Sequence, residues 1–168
     1  MRASNPDTSA TADREIVTTR LFDAPRERVF DAWVDSAHIG RWFGPNGFTT
    51  TTESMDVRPG GVWRFVMRGP DGVDYPNHIT YSEVVRPERL VYVHADDSDA
   101  PGFHTTVVFA QEDGKTRLTM TALFVSAAER DMVVQEYGAI EGGIQTLARL
   151  AEHLAEVQRV ASQPREVR

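Results

Sequence analysis

The stretch FHTTVVFAQEDGKTRLTMTALFVSAAERDMVVQEYGAIEGGIQTLARLAEHL, residues 103–154, decides the fold. Its first part alternates apolar and polar residues, and Asp113-Gly114 separates two such runs. Both of these residues tolerate positive φ, so 103–111 and 116–124 read as the arms of a hairpin. The second part changes period. Ser126-Ala127-Ala128-Glu129 is a capping box, in which the serine side chain accepts from the third amide and the glutamate reaches back. Met132, Val133, Tyr137, Ile140, Ile144, Leu147, Leu150 and Leu154 then recur at about 3.6 residues per turn. This spacing predicts a long amphipathic helix, or two in sequence, broken near Gly138 or bent at Gly142-Gly143.

Upstream, residues 14–22 (REIVTTRLF) are rich in β-branched side chains and read as a strand. Pro25 suits the first position of a helix, where its missing N–H has no intrahelical partner to lose. Val29, Phe30, Trp33 and Val34 give that helix one apolar face. Ser36 is placed to cap a second short helix carrying Ile39, Trp42 and Phe43, which stops at Gly44-Pro45. Strands at 48–58, 62–68, 74–85 and 89–95 follow. They are punctuated by Pro59-Gly60-Gly61, Gly69-Pro70-Asp71-Gly72, Arg86-Pro87-Glu88 and an acidic loop at 96–102.

The order is strand, two short helices, six strands, long helix. Consecutive strands joined by short turns form an antiparallel meander. One helix cannot cover both faces of seven strands, so the α+β solution is a curved sheet wrapped around the C-terminal helix. Trp63, Phe65 and Met67 alternate with Arg64 and Arg68, in keeping with one buried face. A concave sheet cannot be filled everywhere by a cylinder, and the leftover space either packs with side chains or holds a ligand.

Composition narrows the function. The chain has 168 residues, 18 Lys+Arg against 25 Asp+Glu and a net charge of −7, an ordinary globular balance with no basic patch. Binding to nucleic acid or to an anionic membrane is therefore not expected. The absence of cysteine excludes disulfides, thiolate catalysis and Cys-ligated zinc. No apolar run forms a signal-peptide core or spans a bilayer, so a cytoplasmic location is expected. Residues 1–13 read as a disordered lead-in, 14–160 as one domain and 161–168 as a flexible tail.

Several motifs in this order resemble the START-like (SRPBCC) superfamily, in its Hsp90 ATPase activator homologue-like, polyketide cyclase/dehydrase-related branch. They are Ala24-Pro25-Arg26-Glu27-Arg28-Val29-Phe30, Arg41-Trp42-Phe43-Gly44-Pro45 and Met55-Asp56-Val57-Arg58-Pro59-Gly60-Gly61, followed by Gly69-Pro70-Asp71-Gly72, Tyr81-Ser82-Glu83-Val84-Val85 and Pro87-Glu88-Arg89-Leu90. The resemblance spans residues 14–160. It implies a helix-grip fold with an internal cavity for a small hydrophobic or aromatic molecule, and no cofactor. Members include lipid and polyketide binders, aromatase/cyclases and a co-chaperone with an additional N-terminal domain that is not expected here. One-domain members often pair, so a homodimer is an expected assembly, and a chaperone-modulating role is the alternative from another class.

Nucleophile elbows, zinc-protease helices, P-loops and dinucleotide fingerprints are absent. The candidates for acid–base work are Glu83, His94 and Tyr81. By alternation Ile79, Tyr81, Glu83 and Val85 share a face. If that face is concave, the carboxylate lies in an apolar pocket with a raised pKa. The competing reading of Glu83 is a salt bridge to Arg89 across the turn. His94 shares parity with Leu90 and Tyr92 and reads as inward. His78 and His104 read as convex-face residues, and His38 and His153 as solvent-facing helix residues. His94, Asp96, Asp97, Asp99 and His104 cluster in sequence, but their spacing fits a solvated turn better than a metal loop, and no metal site is expected. The expected cavity lining is Trp42, Phe43, Met55, Trp63, Phe65, Met67, Tyr81, Glu83, Tyr92, His94, Gly143 and Leu147. Trp42 and Phe43 lie beside Gly44-Pro45-Asn46-Gly47, a segment able to gate an entrance. Gly142-Gly143 either opens room beneath the helix or permits close packing.

Overall fold

The computed structural model describes residues 11–96, 98 and 102–162. The first ten residues of the expected lead-in and the tail from 163 onward lie outside the described residues, as do Asp97 and Asp99 of the acidic loop. A single 3-10 turn, Ala12–Arg14, leads into β1 (Glu15–Phe22). Two helices follow, α1 (Arg26–Val34) and α2 (Ser36–Ile39). The strands β2 (Thr49–Met55), β3 (Val62–Arg68), β4 (Asp74–Val85), β5 (Arg89–Asp96), β6 (Phe103–Glu112) and β7 (Lys115–Leu123) come next. Two helices, α3 (Ala127–Tyr137) and α4 (Ala139–Ser162), close the chain. All seven strands form one antiparallel sheet in the order β1-β7-β6-β5-β4-β3-β2. The meander runs from β2 to β7, and β1 joins it by pairing with β7 from Glu15↔Leu123 to Phe22↔Thr116. This is the helix-grip arrangement expected from the order of elements.

The turn chemistry follows the sequence. Asp113 and Gly114 both have positive φ, 54° and 79°, as a two-residue hairpin turn requires. Ser126 caps α3 by accepting from the Glu129 amide at 3.1 Å. Of the two breaks considered for the C-terminal helix, the one at Gly138 occurs: this residue is left-handed, with φ 61°, and its N–H bonds back to Val134.

Two capping expectations are corrected. Pro25 precedes the first helical residue and its carbonyl accepts from the amides of Arg28 and Val29. Asp35, not Ser36, caps α2: it is the residue before the first helical one, and its carboxylate accepts from the Ala37 amide at 2.8 Å. The second strand also ends earlier than expected, at Met55.

The core lies between the concave face of the sheet and the helices. Val29, Phe30 and Trp33 of α1 and Leu147, Leu150 and Leu154 of α4 meet Trp63, Phe65, Ile79, Tyr81, Leu90 and Phe109 of the sheet. Trp63 stacks on Phe65 with ring centres 3.8 Å apart, and Phe43 sets its ring edge-on to Trp63 at 5.0 Å. Among the described residues no helix is long and apolar enough to cross a membrane.

Two β-bulges alter which side chains face inward. Pairing on β2 slips between Thr52 and Ser54, and on β4 between Tyr81 and Glu83. In β4 the extra residue is Ser82, whose hydroxyl donates to the Val91 carbonyl at 3.2 Å. Beyond it Val84, not Glu83, stands opposite buried Leu90. The strict alternation expected for Ile79, Tyr81, Glu83 and Val85 therefore fails after Tyr81, since one inserted residue reverses the parity of all that follow.

Candidate functional site

At one end of the grip the packing leaves a pocket of about 190 Å³, partly open to solvent. Its floor is the inward face of β1, β5, β6 and β7, its roof the first turns of α4, and its side the 43–45 segment. The strand registers explain the gap. Tyr92, Thr105, Ala122 and Ile16 form one row across β5, β6, β7 and β1. Small residues occupy the middle of that row, and Gly143 and Thr146 lie above it on the helix. Elsewhere on the same face tryptophan, phenylalanine and leucine fill the equivalent space. The cavity opens where small side chains stand in that row in place of large ones.

Gly143 resolves the two readings of the glycine pair. A Cβ there would come 2.9 Å from Thr18 Oγ1 and 3.7 Å from Met120 Cε. Its missing side chain lets the helix approach β1 closely, and it also lines the pocket. Gly142 has no such constraint, since its Cβ would meet only Pro45 Cβ at 3.9 Å.

The 43–45 wall is clipped to one ridge of α4 by residues four apart. Gln145 Oε1 accepts from the Asn46 amide at 3.1 Å, and Arg149 Nη1 donates to the carbonyls of Gly44 and Pro45 at 2.9 and 3.0 Å. His153 completes the ridge: its Nε2 lies 2.9 Å from His38 Nδ1. The expectation that His38 and His153 face solvent is thus corrected, because helix α2 packs back onto α4 and half-buries both rings. Burial, with the neighbouring His38 and then Arg41, lowers the His153 pKa. From the other side Thr50 Oγ1 donates to the Phe43 carbonyl at 2.6 Å.

Of the residues expected around the cavity, Phe43, Met67, Tyr92, His94 and Gly143 line this pocket. Others do not. Trp42 is fully buried against Trp33 and donates its indole N–H to the Ala32 carbonyl at 3.1 Å. Trp63, whose indole donates to Thr52 Oγ1 at 3.0 Å, and Tyr81 belong to a filled region with Ile79 and Leu90 that leaves no room for a water molecule. Phe65 and Leu147 are core residues, and Met55 sits at the edge of the sheet beside Val34 and Val57. Aromatic side chains were expected to surround a void, but they interlock edge-to-face and close it. Sequence reading missed Ile16, Thr18, Thr105, Met120, Ala122 and Thr146, whose only signal is small or flexible residues at inward parity on three adjacent strands and the helix.

The three acid–base candidates are not gathered. Glu83 is on the outer face, 45% exposed, with its carboxylate 3.3 Å from Arg89 Nε. The bulge at Ser82 puts it there. Tyr81 is buried in the filled region, and burial raises its pKa, so the hydroxyl keeps its proton. His94 alone reaches the pocket. His104 is exposed as expected, while His78 is half-buried with Nδ1 sealed and without a partner among the described residues. Among the described residues no three His, Asp or Glu side chains come together as metal ligands.

Burial pushes the His94 pKa down to about 4, with Asp96 opposing and His78 reinforcing the shift. The unfolded chain then binds more protons than the folded one between that value and the ordinary histidine value. Stability from this group is complete above about pH 6.5 and declines as the pH falls through the window toward 4. The open pocket edge lets water reach the ring and keeps the effect below its full span. Urea titrations at pH 6.5 and 4.5 should show a loss of about 1–2 kcal/mol in the wild type that is absent from His94→Phe. Equal losses in both proteins would assign the effect to other groups.

Comparison with known proteins agrees with this architecture. The family model described as Activator of Hsp90 ATPase homolog 1-like protein matches residues 23–155. A crystal structure of a Nitrosomonas europaea protein aligns with a TM-score of 0.79 at 24% identity, covering 88% of this chain and 98% of that one. A solution structure of an Arthrobacter aurescens protein gives 0.79 at 26% identity, covering 86% and 88%. The AHSA1 protein of Silicibacter pomeroyi gives 0.71 at 21%, covering 85% and 99%. No curated protein matches the chain. With the matched segment running from the loop before α1 into the C-terminal half of α4, the chain belongs to the Activator of Hsp90 ATPase homolog 1-like family and has the helix-grip fold of the START-like (SRPBCC) superfamily.

Proposed function

We propose that this protein binds a small, uncharged, mainly apolar molecule non-covalently in the pocket between the sheet and α4. The supporting observation is the pocket wall. It is built from apolar and hydroxyl side chains, backbone and one imidazole, with no Asp, Glu, Lys or Arg among its lining residues. A charged ligand would lose its hydration there without gaining a counter-charge, at a cost of several kcal/mol. An apolar one is favoured by about 25 cal/mol for each Å² removed from water. Size supports the same reading: an apolar cavity of about 150 Å³ holds benzene, so about 190 Å³ accommodates a substituted ring. A cyclase- or hydrolase-type reaction has less support, because Glu83, Tyr81 and His94 are held in three different environments.

The test is solvent extraction of the purified protein with mass spectrometry, paired with Ala122→Phe. Ala122 faces the pocket opposite Ile16 and Thr105, so the new ring projects into the void. Binding of a probe such as ethylbenzene should weaken at least ~10-fold while the melting temperature is kept, since the ring fills empty space and clashes only with a ligand. Unaltered probe binding in the folded variant, or no binding by the wild type, would reject the pocket as the site.

A further inference from the structure

The pocket wall contains one imidazole, and its neighbours decide which face of its chemistry is offered. Asn77 Nδ2 donates to the Tyr75 carbonyl at 2.8 Å. A carbonyl oxygen only accepts, so the carboxamide cannot be turned over without setting two acceptors against each other. Its Oδ1 therefore faces His94 Nε2, at 3.0 Å, and accepts from it. The proton of His94 sits on Nε2. Burial holds the ring neutral through the ordinary pH range. A neutral imidazole protonated at Nε2 carries a bare lone pair on Nδ1.

That lone pair is unused. Among the described residues His94 makes no other hydrogen bond, and Nδ1 is not one of the sealed, unpartnered polar atoms, which are Arg26 Nε, Trp33 Nε1 and His78 Nδ1. It is not sealed off, and the ring that carries it lines the pocket. The ring itself is held by Phe103, Phe65 and Phe43, with centres 4.9, 5.7 and 6.2 Å away. The hydroxyls in the wall are either engaged or unselective. Thr146 Oγ1 donates to the Gly142 carbonyl at 2.8 Å, and the Tyr92 and Thr105 hydroxyls can each donate or accept. The Thr18 hydroxyl can donate or accept and does not discriminate. His94 Nδ1 accepts only.

We propose that the pocket selects small aromatic molecules bearing a hydroxyl, which donates a hydrogen bond to His94 Nδ1 while the ring fills the apolar space. This rests on the reading of the pocket as a ligand site and names the ligand class. A phenol satisfies both requirements. Its methyl ether fills the same space but presents an acceptor to an acceptor, and a phenolic or benzoic anion finds no positive partner.

The experiment compares 4-ethylphenol, 4-ethylanisole and ethylbenzene by titration calorimetry at pH 7, on wild type and His94→Phe, with ¹⁵N spectra of the wild-type histidines. One net hydrogen bond corresponds to a preference of roughly 3–10-fold. The phenol should bind the wild type tighter than its ether by that factor, and the preference should vanish in His94→Phe while ethylbenzene still binds. The ¹⁵N spectrum should show His94 unprotonated at Nδ1, a readout that stands even if the variant fails to fold. Equal affinity for all three probes, or a proton on Nδ1, would overturn this inference and leave the pocket reading intact. No binding of any probe would overturn both.

Discussion

Trp63→Ala should lower the stability of the fold by about 3–5 kcal/mol, the cost of removing a fully buried large aromatic side chain. Trp63 has no solvent exposure and lies on β3, paired on both sides between the edge strand β2 and β4. Its ring stacks on Phe65 and takes the edge of Phe43, and its N–H satisfies Thr52 Oγ1. The surrounding rings are held by their own strands and by α1, so the site cannot collapse onto the missing volume, and the cavity adds to the lost transfer energy. For a domain of this size the melting temperature should fall by roughly 6–20 °C. Thermal denaturation followed by circular dichroism measures it. A change under 2 °C would mean that the aromatic cluster is not the centre of the core. Trp63→Phe, which keeps a ring in the stack, should recover much of the loss.

The second large effect belongs to a glycine that sequence reading treated only as turn punctuation. In Pro59-Gly60-Gly61 the two glycines are chemically alike but sit in different surroundings. A Cβ on Gly61 would lie 2.0 Å from the Asp56 carbonyl oxygen and 3.0 Å from that of Arg58. Both are backbone atoms, which cannot swing aside. The same turn is tied to the neighbouring strand, where Gly60 N–H donates to the Tyr81 carbonyl at 2.7 Å and Tyr81 N–H donates to the Gly61 carbonyl at 3.0 Å. Displacing Gly61 therefore disturbs β4 beside the bulge that orients Glu83. Gly61→Ala should cost about 2–4 kcal/mol through overpacking and weakened hydrogen bonds. Gly60→Ala meets nothing within 4 Å and bears only the left-handed backbone penalty at φ 85°, about 1–2 kcal/mol. Urea unfolding of both variants gives the comparison. A Gly60→Ala cost equal to or above that of Gly61→Ala would contradict the close approach.

Phe43, Met67, Tyr92, His94 and Gly143 were legible in the sequence as pocket residues, and the rest of the lining was not, for a related reason. Trp42, Trp63, Phe65 and Tyr81 were natural candidates because large amphipathic rings are enriched where ligands bind. Yet rings of that size also pack densely on one another, and here they do. Small residues stand in the middle of the row under the actual void, and Thr18, Thr105 and Ala122 carry no individual signal. Only the register that sets Ile16, Ala122, Thr105 and Tyr92 in one row shows that a gap must open above them. Of the two readings of Glu83 the ion pair with Arg89 is the one present, and alternation pointed to the cavity because a single bulged serine is invisible to a period-two count.

What the amino-acid order determined by itself is local and periodic. The Asp113-Gly114 turn, the Ser126 cap, the break at Gly138 and the alternation along β3 are written in a few adjacent residues, whose backbone preferences do not depend on the rest of the chain. From these, seven antiparallel strands around a C-terminal helix follow as the economical layering that buries the apolar faces. The tertiary structure alone decided where the space remains and what it offers. The void depends on the summed volumes of side chains from five strands, the 43–45 segment and a helix. The bare nitrogen of His94 depends on Asn77 and Tyr75, partners brought to it across the β4–β5 ladder.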